Sequence, residues 1–315
     1  MLLTLRQLQI FGAIAQSGST VAAASSVALS QSATSASLKE LERGLGVALF
    51  DRVGRRLLLN ENGRALLPSA RALLDGAKSV AEGFAPGRRG LQMDLRLAAS
   101  TTIGNYLLPP LLAKFRLEQP NARLQLRIGN TLEVATAVAT FEADLGLIEG
   151  PCHSPSLTVL PWLDDELVII AAPDHPLSRA AGAAQLTVRQ LRRARWLLRE
   201  PGSGTREAVE HALLPHLHHL SADMTLGSSE TIKNTVALGV GISCMSRAVV
   251  ADLLAAGRLA ELRTTLPRLH RRLALVHHNQ KILSVSLRRF AATLGTADAA
   301  LDAGGSAKQR GRPRR

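Results

Sequence analysis

The chain has 315 residues, of which 46% are hydrophobic and 20% are charged. This composition is typical of a soluble globular protein with two or three domains. No run of about 18 apolar residues occurs, so a membrane is not an expected partner. The only two cysteines, Cys152 and Cys244, are far apart, which argues against a disulfide framework and favours a cytoplasmic protein.

Positive charge is concentrated at the two ends of the chain. The formal net charge is +13, and residues 1–90 hold eleven Lys and Arg against six Asp and Glu. Residues 301–315 hold five against one. A polyanion, most simply double-stranded DNA, is the natural partner of such ends, although a basic surface that only maintains solubility is the alternative.

The first 60 residues predict three short helices. The segment "LRQLQIFGAIAQSG" ends at Gly18, and Ser19 and Ser30 can cap the next two helices. Gly44 and Gly46 close the third helix. The predicted apolar stripes comprise Leu5, Leu8, Ile10, Phe11 and Ile14 on the first helix and Ala33, Leu38, Leu41 and Leu45 on the third.

A basic hairpin and a long helix follow. "VALFDRVGRRLLLN" predicts a hairpin that turns at residues 53–55, and with the three helices it completes an α winged helix-turn-helix domain over residues 1–60. Residues 61–86 predict a linker helix whose long apolar stripe suggests pairing with a second subunit. Packing of that stripe onto its own first domain is the alternative.

Residues 91–295 alternate between strand and helix patterns, beginning with βαβαβ. The economical arrangement is an α/β domain of two lobes with a cleft between them. Lobe I comprises residues 91–164 and 267–295, and lobe II comprises residues 165–266. Residues 296–315 lose all periodicity and are expected to form a disordered basic tail.

This order of domains resembles the LysR-type transcriptional regulators over residues 2–295. The resemblance lies in "LRQLQIFGAIAQSGS", in "LSQSATSASLKELERGLGVALFDRVGRRLLLNENGRALLP" and in "REPGSGTRE". It implies a cytoplasmic, DNA-binding homodimer or homotetramer without a cofactor. It also implies a type 2, periplasmic-binding-protein-like effector domain that takes a small molecule in the interlobe cleft. RNA polymerase is a further candidate partner.

Four segments narrow the resemblance: "DLGLIEGPCHS", "PWLDDELVI", "REPGSGTRE" and "GSSETIKNTVALGVGISCMSR". They resemble a LysR subgroup linked to sulfur metabolism, for which sulfite is an effector class, and also the regulators of carbon-fixation genes. The sequence departs from the family at Thr20, Val21 and Ala22, where an aromatic residue, Thr and Arg are frequent, and at Ala36, where Arg or Lys is usual. The hairpin arginines should therefore matter more here.

The third helix and the hairpin carry the expected DNA contacts. Glutamine suits adenine edges, whereas hydroxyls and cations suit phosphates. The candidates are Gln31, Ser32, Thr34, Ser35 and Lys39 on the helix and Arg52, Arg55 and Arg56 on the hairpin. Arg52 has an alternative role in an internal pair with Asp51 or Glu42. The tail contains "RGRP", which resembles an AT-hook core for a narrow minor groove, although a non-specific basic tail is the simpler interpretation.

Three hydroxyl-rich helix starts are expected to converge on the cleft. Hydroxyls and free N–H groups at helix starts favour an anion, although Ser and Thr also cap helices without any ligand. The candidate ligand-binding residues are Ser100, Thr101, Thr102, Glu149, Ser203, Gly204, Thr205, Arg206 and Lys233. Because an unpaired Glu149 would repel an anion, Arg206, Lys233 or a shared proton is expected to compensate it.

The remaining motifs do not favour catalysis or metal binding. Cys152 and His153 supply too few ligands for a metal site. "PGSGT" is not a G-x-S-x-G elbow, and no phosphate-loop motif occurs. A solute-binding protein for transport would need an export signal, and the N-terminal sequence does not resemble one. The leading hypothesis is an effector-responsive DNA-binding regulator rather than an enzyme, and a cytoplasmic anion-binding module without a regulatory role is the alternative.

Overall fold

A computed structural model describes residues 3–54, 56–83 and 94–295. These residues form two compact units, one of residues up to 83 with 279–289, and one of residues 94–278 with 290–295. Arg55, the end of the predicted linker and the predicted basic tail lie outside the described residues. Within the described part of the chain, no helix is long and apolar enough to cross a membrane.

The first unit begins with the predicted winged helix-turn-helix elements. They are α1 (Leu5–Ser17), α2 (Thr20–Ser26), α3 (Gln31–Leu45), β1 (Phe50–Val53), β2 (Arg56–Leu59) and α4 (Glu61–Gly83). Ser19 and Ser30 cap α2 and α3 as predicted, and Gly18 ends α1 at φ 67°. The capping box of Thr4 and Gln7 at the start of α1 was not predicted.

The core of the first unit lies between the helices and the hairpin. The rings of Phe11 and Phe50 are 5.5 Å apart, and Leu8 is fully buried beside them. The apolar stripe of α4 divides in two along the helix. Its first half is buried in this core through Leu67 and Ala70, whereas Leu73 and Val80 are 53% and 62% exposed and remain available to a partner.

The second unit alternates strands and helices, as predicted. Its strands are β3 (Asp94–Ser100), β4 (Arg123–Gly129), β5 (Leu145–Ile148), β6 (Leu157–Ala171), β7 (Trp196–Arg199), β8 (Ala222–Leu226), β9 (Ser243–Ser246), β10 (Ala260–Glu261) and β11 (Leu269–His278). Its helices are a π-helical turn (Ile103–Leu107), α5 (Leu108–Glu118), α6 (Thr131–Ala139), α7 (Pro176–Ala183), α8 (Val188–Arg192), α9 (Gly204–Leu217), α10 (Ser229–Ala237) and α11 (Arg247–Ala255). The last helix, α12 (Val285–Thr293), belongs partly to each unit. The sequence patterns missed α7.

Two long strands run through both predicted lobes. The main sheet has the order β10-β6-β11-β5-β3-β4, with β9 also paired to β6. The parallel pairs β3-β4 and β3-β5 confirm the predicted βαβαβ unit. Strand β6 crosses the predicted lobe boundary at residues 164–165 without a break, and β11 pairs with residues 157–167 of β6, on both sides of that boundary. The lobes therefore meet where β6 and β11 cross between them.

Replacing either of two glycines of the first unit by alanine should change the free energy of unfolding, in opposite directions for the two positions. A Cβ on Gly63 would overlap the carbonyl oxygen of Leu49 and lie 2.7 Å from Leu59 Cδ2, whereas a Cβ on Gly12 meets nothing within 4 Å. Gly63→Ala should lower the free energy of unfolding by about 1–3 kcal/mol, because backbone atoms must shift. Gly12→Ala should raise it by about 0.5–1 kcal/mol. Urea unfolding followed by circular dichroism measures both, and equal effects would contradict the packing at Gly63.

Candidate functional site

The exposed face of α3 carries most of the predicted DNA contacts. Gln31, Ser35 and Lys39 are spaced four residues apart, so they form one row along the helix. Gln31 and Lys39 are exposed and Ser35 is half-buried, and the exposed Ser32 lies beside this row. The row presents an amide, hydroxyls and an ammonium group to solvent, which are suitable groups for base edges and phosphates.

Thr34 does not belong to this surface, and its prediction as a DNA contact is wrong. Its side chain is fully buried, and its hydroxyl donates to the carbonyl oxygen of Ser30 at 3.0 Å. Position 34 lies four residues before Leu38, on the face of α3 that packs into the core. Ala33, which was predicted on the apolar stripe, is exposed instead.

The hairpin presents its arginines on two faces. Arg52 lies opposite Leu57, and Arg56 lies opposite Val53, so the two side chains leave opposite sides of the ribbon. Both arginines are exposed. Glu42, an alternative partner for Arg52, accepts a hydrogen bond from the Leu49 backbone N–H at 2.8 Å. The third arginine of the prediction, Arg55, lies outside the described residues.

In the second unit, Glu149 is the centre of a buried cluster between the lobes. One carboxylate oxygen accepts from the backbone N–H of Thr102 at 2.5 Å, where β3 leads into the π-helical turn. The other oxygen accepts from the Thr205 hydroxyl at 2.6 Å and from Arg271 Nη1 at 3.0 Å. Burial alone would raise the pKa of Glu149. The Arg271 guanidinium and the hydrogen bonds from Thr205 and Thr102 outweigh that effect and hold the pKa below its usual value.

Arg271, and not Arg206 or Lys233, compensates Glu149. Its Nε donates to Asp165 at 2.7 Å, so one guanidinium joins two carboxylates. Arg271 and Asp165 are cross-strand partners on β11 and β6, and all three charged residues are at most 8% exposed. The predicted shared proton is also unnecessary, because a cation lies in contact with the carboxylate. No sequence pattern indicated this pairing, since the partners are 106 and 122 residues from Arg271.

Arg199 forms a second cluster that sequence reasoning missed. Its Nη1 donates to the hydroxyls of Thr101 and Ser229, each at 2.8 Å, and so joins the two lobes. Its Nε and Nη2 donate to Glu200 at 2.7 and 2.9 Å. Burial alone would raise the pKa of Glu200. The hydrogen bonds from Arg199, the Glu200 backbone and Asn130, together with the charge of Arg199, outweigh burial and lower the pKa. The sequence signal that could have indicated this cluster is the charge pair "RE" (Arg199 and Glu200) at the end of an apolar strand.

Arg206 and Lys233 lie near the clusters but have other partners. Arg206 donates to Glu210 at 2.8 Å and to the carbonyl oxygen of Arg199 at 3.1 Å. Lys233 Nζ donates to the Tyr106 hydroxyl at 3.1 Å and pairs with Asp252 and Glu230 at 3.2 Å. Lys233 therefore joins α10 to the π-helical turn of the other lobe.

The remaining predicted ligand residues have structural roles. Ser100 shares a hydrogen bond with Thr131 at 3.2 Å, and Ser203 caps α9. A Cβ on Gly204 would overlap Thr131 Oγ1 and lie 2.8 Å from the backbone nitrogen of Gly150. Glycine at position 204 is therefore required for close contact between two backbone segments, one from each lobe.

Comparison with known proteins identifies both units. Residues 5–64 match the family model described as "Bacterial regulatory helix-turn-helix protein, lysR family". Residues 88–299 match the "LysR substrate binding domain". The chain belongs to the LysR family. It is thus a DNA-binding transcriptional regulator with an effector-binding domain, from a family of regulators and not of enzymes.

Individual LysR-family proteins agree with this assignment. The HTH-type transcriptional regulator YeiE of Escherichia coli (strain K12) is 50% identical over 288 residues, which cover 91% of this chain and 96% of YeiE. A full-length OxyR variant from Pseudomonas aeruginosa has a TM-score of 0.76 at 26% identity, and the match covers 93% of this chain and 96% of that one. The CcmR regulatory domain from Synechocystis PCC6803, in complex with 2-PG, has a TM-score of 0.59 at 32% identity. That match covers 64% of this chain and 96% of the CcmR chain.

Two adjacent arginines on β11 of this LysR-family chain should differ sharply in importance. Arg271→Met leaves two buried carboxylates without their cation and should lower the free energy of unfolding by about 3–5 kcal/mol. Arg272→Met removes a pair with Asp164 in which both side chains are about two-thirds exposed, and should cost less than about 1 kcal/mol. Urea unfolding of the two variants measures the difference. Similar losses would contradict the central role of the Glu149 cluster.

Proposed function

We propose that a small anion binds between the lobes at Arg199 and thereby controls transcription. Binding changes the angle between the lobes, which changes the geometry of the homo-oligomer and the bending of its DNA. The observation that supports this proposal is the contact of one buried guanidinium with Thr101 of one lobe and Ser229 of the other. An anion inserted at this contact would gain a cation and two hydroxyl donors.

The charges around Arg199 favour an anionic effector. Arg199 is 3% exposed, whereas its partner Glu200 is 24% exposed and can turn towards solvent when an anion takes its place. Glu149, the other carboxylate near the cleft, is paired with Arg271, which reduces its repulsion of an anion. The complex of the CcmR regulatory domain with 2-PG supports ligand binding by this domain. Sulfite and other small oxyanions have the charge and size that we propose.

The remaining parts of the proposal concern assembly and location. The exposed Leu73 and Val80 on α4 support pairing with the same helix of a second copy, giving a homodimer or homotetramer. The two free cysteines suit the cytoplasm, where DNA and RNA polymerase are the partners that we propose. The helix-turn-helix match disfavours the second candidate, an anion-binding module without a role on DNA.

Anion binding should depend on the Thr101 hydroxyl. We expect sulfite, sulfate, a phosphosugar or a nicotinamide nucleotide to raise the Tm of the full chain. Thr101→Val should weaken the binding of that ligand about tenfold, because one hydrogen bond to the charged cluster is lost. Thr231→Val, on the exposed side of α10, is the matched control and should bind normally. Failure of all four anions to shift the Tm would count against the assignment.

DNA binding should depend on exposed cations of the first unit. Lys39→Met and Arg56→Met should each lower affinity and reduce the slope of log K against log salt by about one. Arg272→Met removes the same charge from the second unit and should leave the slope unchanged. Gln31→Ala should alter base preference more than salt dependence. Fluorescence anisotropy with the DNA upstream of the protein's own gene measures these effects, and equal slopes for all variants would exclude this surface.

The basic tail is an additional DNA-binding candidate. A chain that ends at residue 304 should bind the same DNA more weakly and with a smaller salt slope, because five Lys and Arg are removed. A tail of the AT-hook kind should favour A·T-rich sites, whereas a non-specific tail should not. An unchanged slope would show that the tail takes no part in binding.

A further inference from the structure

A cavity of about 510 Å³ lies between α6, the loop after β5 and the start of α9. Its walls come from both lobes. Leu132, Ala135 and Thr136 of α6 form one side, and Pro151 to Ser154 form another. Gly202 and Glu207 of the second lobe complete it. The volume is within the range of small-molecule sites, which is about 300–1,000 Å³.

This cavity is separate from the anion site. Its described lining includes neither Arg199 nor any member of the Glu149 cluster. Gly150, which precedes the lining residue Pro151, is in close backbone contact with Gly204 of the other lobe. The carbonyl oxygen of Gly202 also accepts from the Leu132 N–H at 3.1 Å, so the lobes are joined again at its wall.

The lining indicates an uncharged, mainly apolar ligand. No Lys or Arg occurs among the described lining residues, so an anion would find no permanent cation there. The polar groups at the rim are already paired, with His153 Nε2 2.8 Å from Glu207. The Thr136 hydroxyl donates to the Leu132 carbonyl oxygen at 2.8 Å. What remains for a ligand is apolar surface, including the Leu132 side chain, which is 62% exposed.

We propose that this cavity is a second ligand site, which takes a small, uncharged and mainly apolar organic molecule. The proposal does not depend on the anion site. Because both lobes supply its walls, a bound molecule also favours the lobe arrangement seen here. The size of the cavity suits a molecule with a single aromatic ring better than a peptide or a lipid chain.

Cys152 allows a direct test, because its thiol lines the cavity and is partly exposed. The probe is the mixed disulfide of 2-phenylethanethiol with cysteamine. The Cys152 thiolate attacks this disulfide, forms a new S–S bond to the phenylethyl sulfur and releases cysteamine as a thiol. Burial raises the pKa of Cys244 to about 12, so that thiol stays protonated near pH 8 and serves as an internal control.

The full chain is equilibrated with the probe and increasing β-mercaptoethanol, and intact mass is measured. The phenylethyl adduct should survive about tenfold more β-mercaptoethanol than the adduct of the corresponding 2-hydroxyethyl probe, because the ring lies in the cavity. Thr136→Trp fills the cavity and should abolish this difference, whereas Thr136→Val should retain it. Cys152→Ser should remove both adducts.

Two results would overturn the proposal. One is equal survival of the phenylethyl and hydroxyethyl adducts in the native chain, which would mean that the cavity does not hold an apolar group. The other is protection of Cys152 from both probes in the native chain, with normal reaction after unfolding. That result would mean that another part of the assembly, such as a second copy of the chain, covers this face.

Discussion

The arrangement of the second unit depends on one guanidinium. Arg271 lies where β6 and β11 cross between the lobes, and it holds Glu149 from the end of β5 and Asp165 from β6. Removing three charged groups from water costs several kcal/mol for each, and only their mutual attraction and additional hydrogen bonds offset this cost. Thr102 and Thr205 provide such bonds from the two lobes. Burial of this cluster therefore requires both lobes to be correctly placed.

This requirement separates two kinds of interlobe contact. The Glu149 cluster is almost inaccessible, and its one guanidinium contacts both buried carboxylates, so it suits a permanent junction. The Arg199 contact uses two neutral hydroxyls and a partly exposed carboxylate, which a ligand can replace at little cost. The sequence contains an Arg in both places, but only the structure distinguishes the junction from the contact that can open. In the proposed switch, the two lobes move relative to each other at Arg199, while the junction at Arg271 stays fixed.

Local features were predictable from the sequence because they depend on neighbouring residues. Ser19 and Ser30 cap helices through hydrogen bonds that span three residues or fewer, and Gly18 ends α1 because it tolerates positive φ. The parallel strands β3, β4 and β5 follow from their apolar runs and connecting helices. Thr34 was misassigned because its type fits both a DNA contact and a buried helix position, and only packing decides between them. The partners of Arg271 could not be predicted for the same reason, because only packing brings them together.

The segment "REPGSGTRE" shows how few residues connect these sites. Arg199 reaches Thr101 across the lobes, while Thr205 donates to the permanent junction at Glu149. Between them, Gly202 lines the apolar cavity and Gly204 allows the close backbone contact that borders it. Because these contacts lie on one short segment, rotation of the lobes about the junction at Thr205 would change the contacts at Arg199 and Gly202 together. An anion at Arg199 and an apolar molecule in the cavity would therefore act on the same few residues, and their binding free energies should be coupled and reciprocal.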